Sequence, residues 1–160
     1  MAIELYDGLR ELPPYDQDLD REDAPGPVAD LRERVHAADG LLIATPEYNY
    51  GVPGVLKNAI DWASRPSSAS CLLGKPVAIM GAAPGNFGTV RAQLALRQSF
   101  LWIDSRIVTK PELALFRSHE RFDANGELTD ETTRTMLARL LDALAAKVRE
   151  AHAPIPALAA

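Results

Sequence analysis

The stretch Leu41-Leu42-Ile43-Ala44-Thr45 decides the fold of this chain. It is continuously apolar, without the alternation of a half-exposed strand, which is typical of a strand covered on both faces in a parallel sheet. A loop rich in proline and tyrosine follows at residues 46–53. A helix is predicted after the loop, because four apolar residues share one helical face: Leu56, Ala59, Ile60 and Ala63.

The same unit repeats along the chain. Residues 76–80 form a second apolar run, residues 81–88 a glycine-rich loop, and residues 90–102 a segment that is apolar on more than one side of a helix. A further helix is predicted over residues 26–38, before the first strand. Alternating strands and helices with buried strands predict an α/β fold, a parallel sheet flanked by helices.

Three shorter segments complete the predicted sheet. Residues 2–6 are expected to form a strand. Residues 106–109 and 112–115 are expected to form one interrupted strand, and Pro111 between them suits the edge of a sheet.

The composition is that of one globular domain, residues 1–160, which we expect to end in a loose tail at residues 151–160. The chain is 47 % hydrophobic and 24 % charged, with a formal net charge of −5. No apolar run approaches the about 20 residues of a membrane span, and the acidic first forty residues argue against nucleic acid as a partner. Cys71 is the single cysteine, which excludes an internal disulfide, so we expect a cytoplasmic location. Thr129 is expected to cap the last helix.

The two loops after the buried strands are the candidate ligand site, because ligands of such sheets bind at the carboxyl ends of the strands. Loop 46–53 offers backbone N–H groups, two phenols and one side-chain amide, which match a planar heteroaromatic ligand. Loop 81–88 leads into a helix and could hold an anion or the edge of a ring. Taken alone, each loop is better interpreted as a turn between a strand and a helix.

No set of residues suggests an acid, a base or a nucleophile. The three histidines, His36, His119 and His152, are far apart without the spacing of metal ligands, and Cys71 has no histidine near it in sequence. This pattern favours chemistry carried by a bound cofactor, with the protein supplying its position and electrostatics.

Residues 45–62, TPEYNYGVPGVLKNAIDW, resemble the signature of the NAD(P)H-dependent FMN reductase family, whose members are flavodoxin-like enzymes. Residues 74–94 resemble the later flavin-side loop and helix of that family, and residues 12–18 resemble the loop after its second strand. Lys110-Pro111-Glu112 also fits the family pattern.

The resemblance implies that FMN is the cofactor, NADPH or NADH the co-substrate, and a small molecule such as a quinone, an azo compound or a metal oxyanion the electron acceptor. No catalytic side chain and no metal site are expected, since the residues of this sequence suggest neither. The residues that would border the flavin ring on one side are Pro46, Glu47, Tyr48, Asn49, Tyr50 and Gly51. Those that would approach it from the other side are Gly81, Pro84, Gly85 and Asn86. A homodimer or homotetramer through helix 90–102 is also expected.

One part of the family pattern has no counterpart in this sequence. Family members open with a first strand and a Gly-Ser-x-Arg-type loop that holds the FMN phosphate, whereas residues 1–6 resemble the family's second strand. In the strand order 2-1-3-4-5, the first strand would lie between residues 2–6 and 41–45. The two strands must then pair with each other or borrow a partner's strand, or the N-terminus is incomplete; we expect the last.

We therefore expect weak FMN binding by the chain as written. The alternative function is a non-catalytic flavodoxin-like module with little affinity for FMN. A flavodoxin-type electron carrier is a third interpretation, which the nearly intact reductase signature disfavours.

Overall fold

The computed structural model describes residues 1–21 and 23–153. The α-helices are α1 (Gly26–Ala37), α2 (Gly54–Ala63), α3 (Val90–Trp102) and α4 (Glu131–His152). The strands are β1 (Leu41–Ala44), β2 (Pro76–Ala82), β3 (Arg106–Ile107) and β4 (Leu113–Leu115). In this part of the chain the four α-helices alternate with strands β1, β2 and the pair β3 and β4, as the sequence pattern predicts.

Strand β2 is the centre of a parallel sheet. On one side it pairs with β1, from Leu41 opposite Val77 to Ala44 opposite Met80. On the other side it pairs with β3 over its first residues and with β4 over its last residues. Strands β3 and β4 are thus the two halves of one interrupted strand, which confirms that prediction.

The two faces of β2 have different cores. Val77 and Ile79 pack with apolar residues of α1, α2 and α3, including the fully buried Phe100 of α3. Ala78 lies on the opposite face with Leu140 and Leu144 of α4. Successive side chains of a strand point to opposite faces, so β2 contributes to both cores.

The predicted strand at residues 2–6 is wrong. This segment is not part of the sheet, and among the described residues β1 pairs only with β2. Ile3 and Leu5 are 63 % and 86 % exposed, while Tyr6 packs against the core on the α1 side. A strand needs a partner for its backbone ladder, and no described strand supplies one here. Pairing of residues 2–6 with β1, one of the three expected outcomes, does not occur.

The last helix also differs at both ends from the prediction. Its N-cap is Asp130 rather than Thr129, because the Asp130 carboxylate accepts hydrogen bonds from the backbone N–H and the hydroxyl of Thr133. Ala151 and His152, expected in the tail, are its last residues. Residues 154–160 lie outside the described residues. No helix of the described chain is long and apolar enough to cross a bilayer.

Trp62 of α2 anchors the loop that precedes α1. Its indole Nε1 donates a hydrogen bond of 2.8 Å to the Pro13 carbonyl, and Asn58 Nδ2 donates to the same oxygen at 2.9 Å. The Tyr15 ring packs edge-on against the Trp62 ring with a centroid distance of 4.8 Å. The loop is thereby held against the middle and the end of α2.

We expect Trp62→Phe to lower the free energy of unfolding by about 2 kcal/mol, because a fully buried side chain loses volume and a hydrogen bond. Trp102→Phe is the matched control, since Trp102 is 88 % exposed and should change stability by less than about 0.5 kcal/mol. Urea denaturation measures both. Equal losses in the two variants would contradict the anchoring role of Trp62.

Candidate functional site

The pairing of β1 with β2 brings the two candidate loops side by side. The Thr45 N–H donates to the Met80 carbonyl at 2.9 Å, so each strand ends at the same edge of the sheet. Gly81 allows this close approach. A Cβ at Gly81 would lie 2.2 Å from both the Thr45 carbonyl oxygen and the Thr89 hydroxyl. Only glycine fits there without a shift of the loops.

Loop 46–53 contains a tight turn that exposes backbone donors. Tyr48 and Gly51 exchange two backbone hydrogen bonds of 2.9 and 3.1 Å, and Asn49 and Tyr50 between them have φ of 49° and 67°. The backbone amides of Asn49 and Tyr50 donate no hydrogen bond to any of the described residues. Both tyrosine side chains are exposed beside these free donors. The turn therefore offers N–H groups and aromatic surface together.

The Glu47 side chain points toward α3 and not toward the exposed surface of the two loops. Its Oε2 accepts hydrogen bonds from the backbone amides of Arg91 at 2.9 Å and Ala92 at 3.2 Å, and its Oε1 accepts one from Arg91 Nη1 at 2.8 Å. The carboxylate thus binds the positive N-terminal end of α3. The anion-binding capacity predicted for loop 81–88 at this helix end is already used by Glu47.

Arg91 connects the two loops through its guanidinium. The guanidinium carbon lies 3.8 Å from the centroid of the Tyr50 ring and 4.5 Å from that of the Phe87 ring. Both distances are within the range of cation–π contacts. One side chain of α3 therefore contacts an aromatic ring from each loop and the carboxylate of Glu47.

Loop 81–88 is held on its other side by the segment after β4. The Ala83 amide donates to the Leu115 carbonyl at 2.9 Å, and the Gly85 carbonyl accepts from the Arg117 amide at 3.1 Å. Pro84, Gly85 and Asn86 are exposed, and within the described chain the amides of Gly85 and Asn86 donate no hydrogen bond. Loop 81–88 thus also presents free donors at the edge of the sheet.

The pKa of Glu47 depends on this network. Burial by itself raises the pKa of Glu47. The hydrogen bonds from the Arg91 side chain and from the two backbone amides outweigh burial, and the pKa lies below its ordinary value of 4.5. The carboxylate is therefore charged at neutral pH.

We expect Glu47→Gln to lower the free energy of unfolding by about 2 kcal/mol at neutral pH, because it removes a charged acceptor of three hydrogen bonds. The pKa is lower in the folded chain, so this contribution is complete above about pH 4.5 and is lost as the pH falls through the folded-state value. Urea denaturation between pH 7 and 3 measures the convergence of wild type and variant.

The exposed Glu127 provides the control. Glu127→Gln should change stability by less than about 0.5 kcal/mol at neutral pH. A difference between wild type and Glu47→Gln that does not depend on pH would contradict the charged state of Glu47.

Sequence reasoning missed Arg91 and Phe87 as parts of the site. A signal existed for Arg91, because a cation in the first turn of a helix is unfavourable for the helix dipole unless an anion lies nearby. Glu47, an acid in an otherwise uncharged loop, was the available anion. The two residues are 44 positions apart, and only the parallel pairing of β1 with β2 brings them together.

The remaining candidates take no part in this site. Burial raises the pKa of the Cys71 thiol, which donates a hydrogen bond to the Ala63 carbonyl, so Cys71 is protonated at neutral pH. The described residues contain no cluster of His, Cys, Asp or Glu that could hold a metal ion. A cavity of about 500 Å³ lies at the far ends of α2 and α3, beside Leu73 and Trp102.

The donor groups of both loops fit the edge of a flavin ring, whose carbonyl oxygens and ring nitrogens accept hydrogen bonds. The free amides of loops 46–53 and 81–88 lie at the carboxyl ends of β1 and β2, where such sheets bind ligands. Fold and site together define a flavodoxin-like α/β protein.

The pattern of the NADPH-dependent FMN reductase family matches residues 1–120, and the chain belongs to that family. It is 47 % identical to an NAD(P)H-dependent FMN reductase of Pseudomonas aeruginosa, over 93 % of this chain and 80 % of the relative. It is 45 % identical to a 2-hydroxy-1,4-benzoquinone reductase of a Burkholderia species, over 87 % of this chain and 75 % of that protein.

Among solved structures, the chain resembles FerB, an NAD(P)H:(acceptor) oxidoreductase of Paracoccus denitrificans. The TM-score is 0.80 at 38 % identity, over 89 % of this chain and 78 % of FerB. These findings make the chain a flavin-dependent oxidoreductase with FMN as cofactor and NAD(P)H as co-substrate.

Proposed function

We propose that this chain is an NAD(P)H:quinone oxidoreductase whose flavin ring lies between loops 46–53 and 81–88. One observation carries the proposal: unused backbone donors of both loops and exposed aromatic side chains meet at the ends of β1 and β2. Several relatives named quinone reductase, 38–39 % identical to this chain, support the choice of acceptor. Azo compounds and metal oxyanions are the further acceptor classes to test.

The residues of the site have separate tasks in this proposal. On the side of β1, backbone groups would border the ring at Pro46, Tyr48, Asn49, Tyr50 and Gly51. On the side of β2, the bordering residues would be Gly81, Pro84, Gly85 and Asn86. Glu47 would act indirectly, since its carboxylate is bound to α3.

The reaction needs a surface on which two planar substrates bind in turn. FMN held between the two loops would supply the redox chemistry: a hydride would come from NAD(P)H, and two electrons would go to the quinone, which takes up two protons to become the hydroquinone. Tyr48 and Tyr50 are exposed beside the free amides and can cover the face of a planar ring and exclude water. A dependence on NAD(P)H also supports a cytoplasmic location.

We expect purified protein supplied with FMN to oxidise NADPH with 1,4-benzoquinone as the electron acceptor. Double-reciprocal plots should be parallel, because the two substrates bind in turn at one site. The kcat/KM for the quinone should exceed that for an azo dye or chromate at least about tenfold. A chain that does not quench FMN fluorescence on titration would contradict the proposal and favour the non-catalytic module.

A matched pair of variants tests the placement of the ring. Asn49→Gly keeps the left-handed turn but removes the side-chain amide, and we expect it to raise the Kd for FMN about three- to tenfold. Asn125→Gly, in an exposed turn, should leave the Kd unchanged. An unchanged Kd in Asn49→Gly would show that the Asn49 side chain does not contact FMN.

We also propose that the chain forms a homodimer or homotetramer through the outer face of α3. The inner face of this helix is buried through Ala92, Leu96 and Phe100. On the outer face Val90, Leu94 and Leu101 form an exposed stripe, and Leu101 is 77 % exposed. Large apolar side chains arranged as a patch typically mark an interface, and a second copy offers an identical face.

We expect Leu94→Glu combined with Leu101→Glu to convert the oligomer to a monomer, because two charges would be buried at its interface. Analytical ultracentrifugation measures the change. Leu19→Glu introduces a charge at an exposed leucine elsewhere and should leave the oligomer intact. A monomeric wild-type chain, or an oligomeric double variant, would contradict the proposed interface.

A further inference from the structure

Arg91 is held in one place by contacts of three kinds. Its backbone amide and its Nη1 both donate to the Glu47 carboxylate, at 2.9 and 2.8 Å. Its guanidinium lies against the ring of Tyr50 at 3.8 Å and the ring of Phe87 at 4.5 Å. The Glu47 and Arg91 side chains are 9 % and 29 % exposed, so water screens this ion pair only in part.

These contacts join loop 46–53 to loop 81–88 beyond the point where the pairing of β1 with β2 ends. Glu47 and Tyr50 belong to loop 46–53, Phe87 to loop 81–88, and Arg91 to the first turn of α3. The Tyr50 and Phe87 side chains are largely exposed, so the guanidinium is a principal contact of each ring. The relative position of the two loops at their tips therefore depends on Arg91.

The contact geometry suits arginine and not lysine. A guanidinium is planar and can lie against aromatic rings while its N–H groups bind a carboxylate. A lysine ammonium could keep the ion pair with Glu47, but it has no plane to hold the two rings. The ion pair and the aromatic contacts can thus be separated by substitution.

We propose that Arg91, anchored by Glu47, is a positioning residue of the flavin site that sets the distance between Tyr50 and Phe87. This inference rests on the proposed function, because it takes the two loops as the two sides of one ligand site. When Arg91 holds the two rings, both loops present free amides to the same ligand. These are the amides of Asn49 and Tyr50 on one loop and of Gly85 and Asn86 on the other. Arg91 acts on the ligand only through the loops.

The test compares Arg91→Lys, Arg91→Met and the control Arg149→Lys, whose site is the exposed last turn of α4. The first readout is hydrogen exchange of the protein without flavin. We expect Arg91→Lys to speed exchange at least about threefold at the hydrogen-bonded amides of the two loops, those of Tyr48, Gly51 and Ala83, and to leave exchange of residues 77–80 of β2 unchanged. Arg149→Lys should match wild type throughout.

The second readout is FMN affinity from fluorescence titration. We expect the Kd to rise about tenfold in Arg91→Lys and at least as much in Arg91→Met, with the Tm of Arg91→Lys within about 2 °C of wild type. If Arg91 merely closed the end of α3 through Glu47, Arg91→Lys would match wild type in both readouts. That result would overturn the proposal.

The two proposals fail in different ways. Wild-type protein that does not bind FMN would refute the proposed function, while hydrogen exchange without flavin would still decide whether Arg91 positions the loops. Unchanged loop exchange in both Arg91 variants would refute the positioning role even when wild type binds FMN and reduces quinones.

Discussion

The parallel pairing of β1 with β2 is the constraint on which the rest of the structure depends. It makes both strands end at one edge of the sheet, where the Thr45 amide meets the Met80 carbonyl. This close approach requires glycine at position 81, since a side chain there would collide with the backbone of Thr45. The starts of both loops take their places from this register.

Glu47 is a buried charge whose partners all lie at the start of α3. Burial of a carboxylate is unfavourable unless donors compensate it, and here two backbone amides and a guanidinium do so. The same contacts occupy backbone amides at the N-terminal end of α3, where the helix dipole is positive. In the proposed site, the ligand would therefore be recognised through the free amides of the turns and not through that helix end.

Strand β1 is less buried than its apolar sequence suggests. Val77, Ala78 and Ile79 of β2 are fully buried, because β2 has neighbours on both sides and helices on both faces. Leu41, Leu42 and Ile43 of β1 are only partly buried, with one strand neighbour among the described residues. Residues 2–6 have a strand-like composition, yet composition cannot supply the partner that a strand requires.

The sequence by itself determined the alternation of strands and helices, the two loops at the candidate site and the family of the chain. These features are local, since they depend on periodicity and on residues that adjoin along the chain. Only the tertiary structure decided that Glu47 turns inward, that Arg91 joins the two loops and that residues 2–6 do not form a strand. Each of these outcomes depends on contacts between residues that are distant in sequence, often by more than forty positions. A local sequence pattern does not specify such contacts.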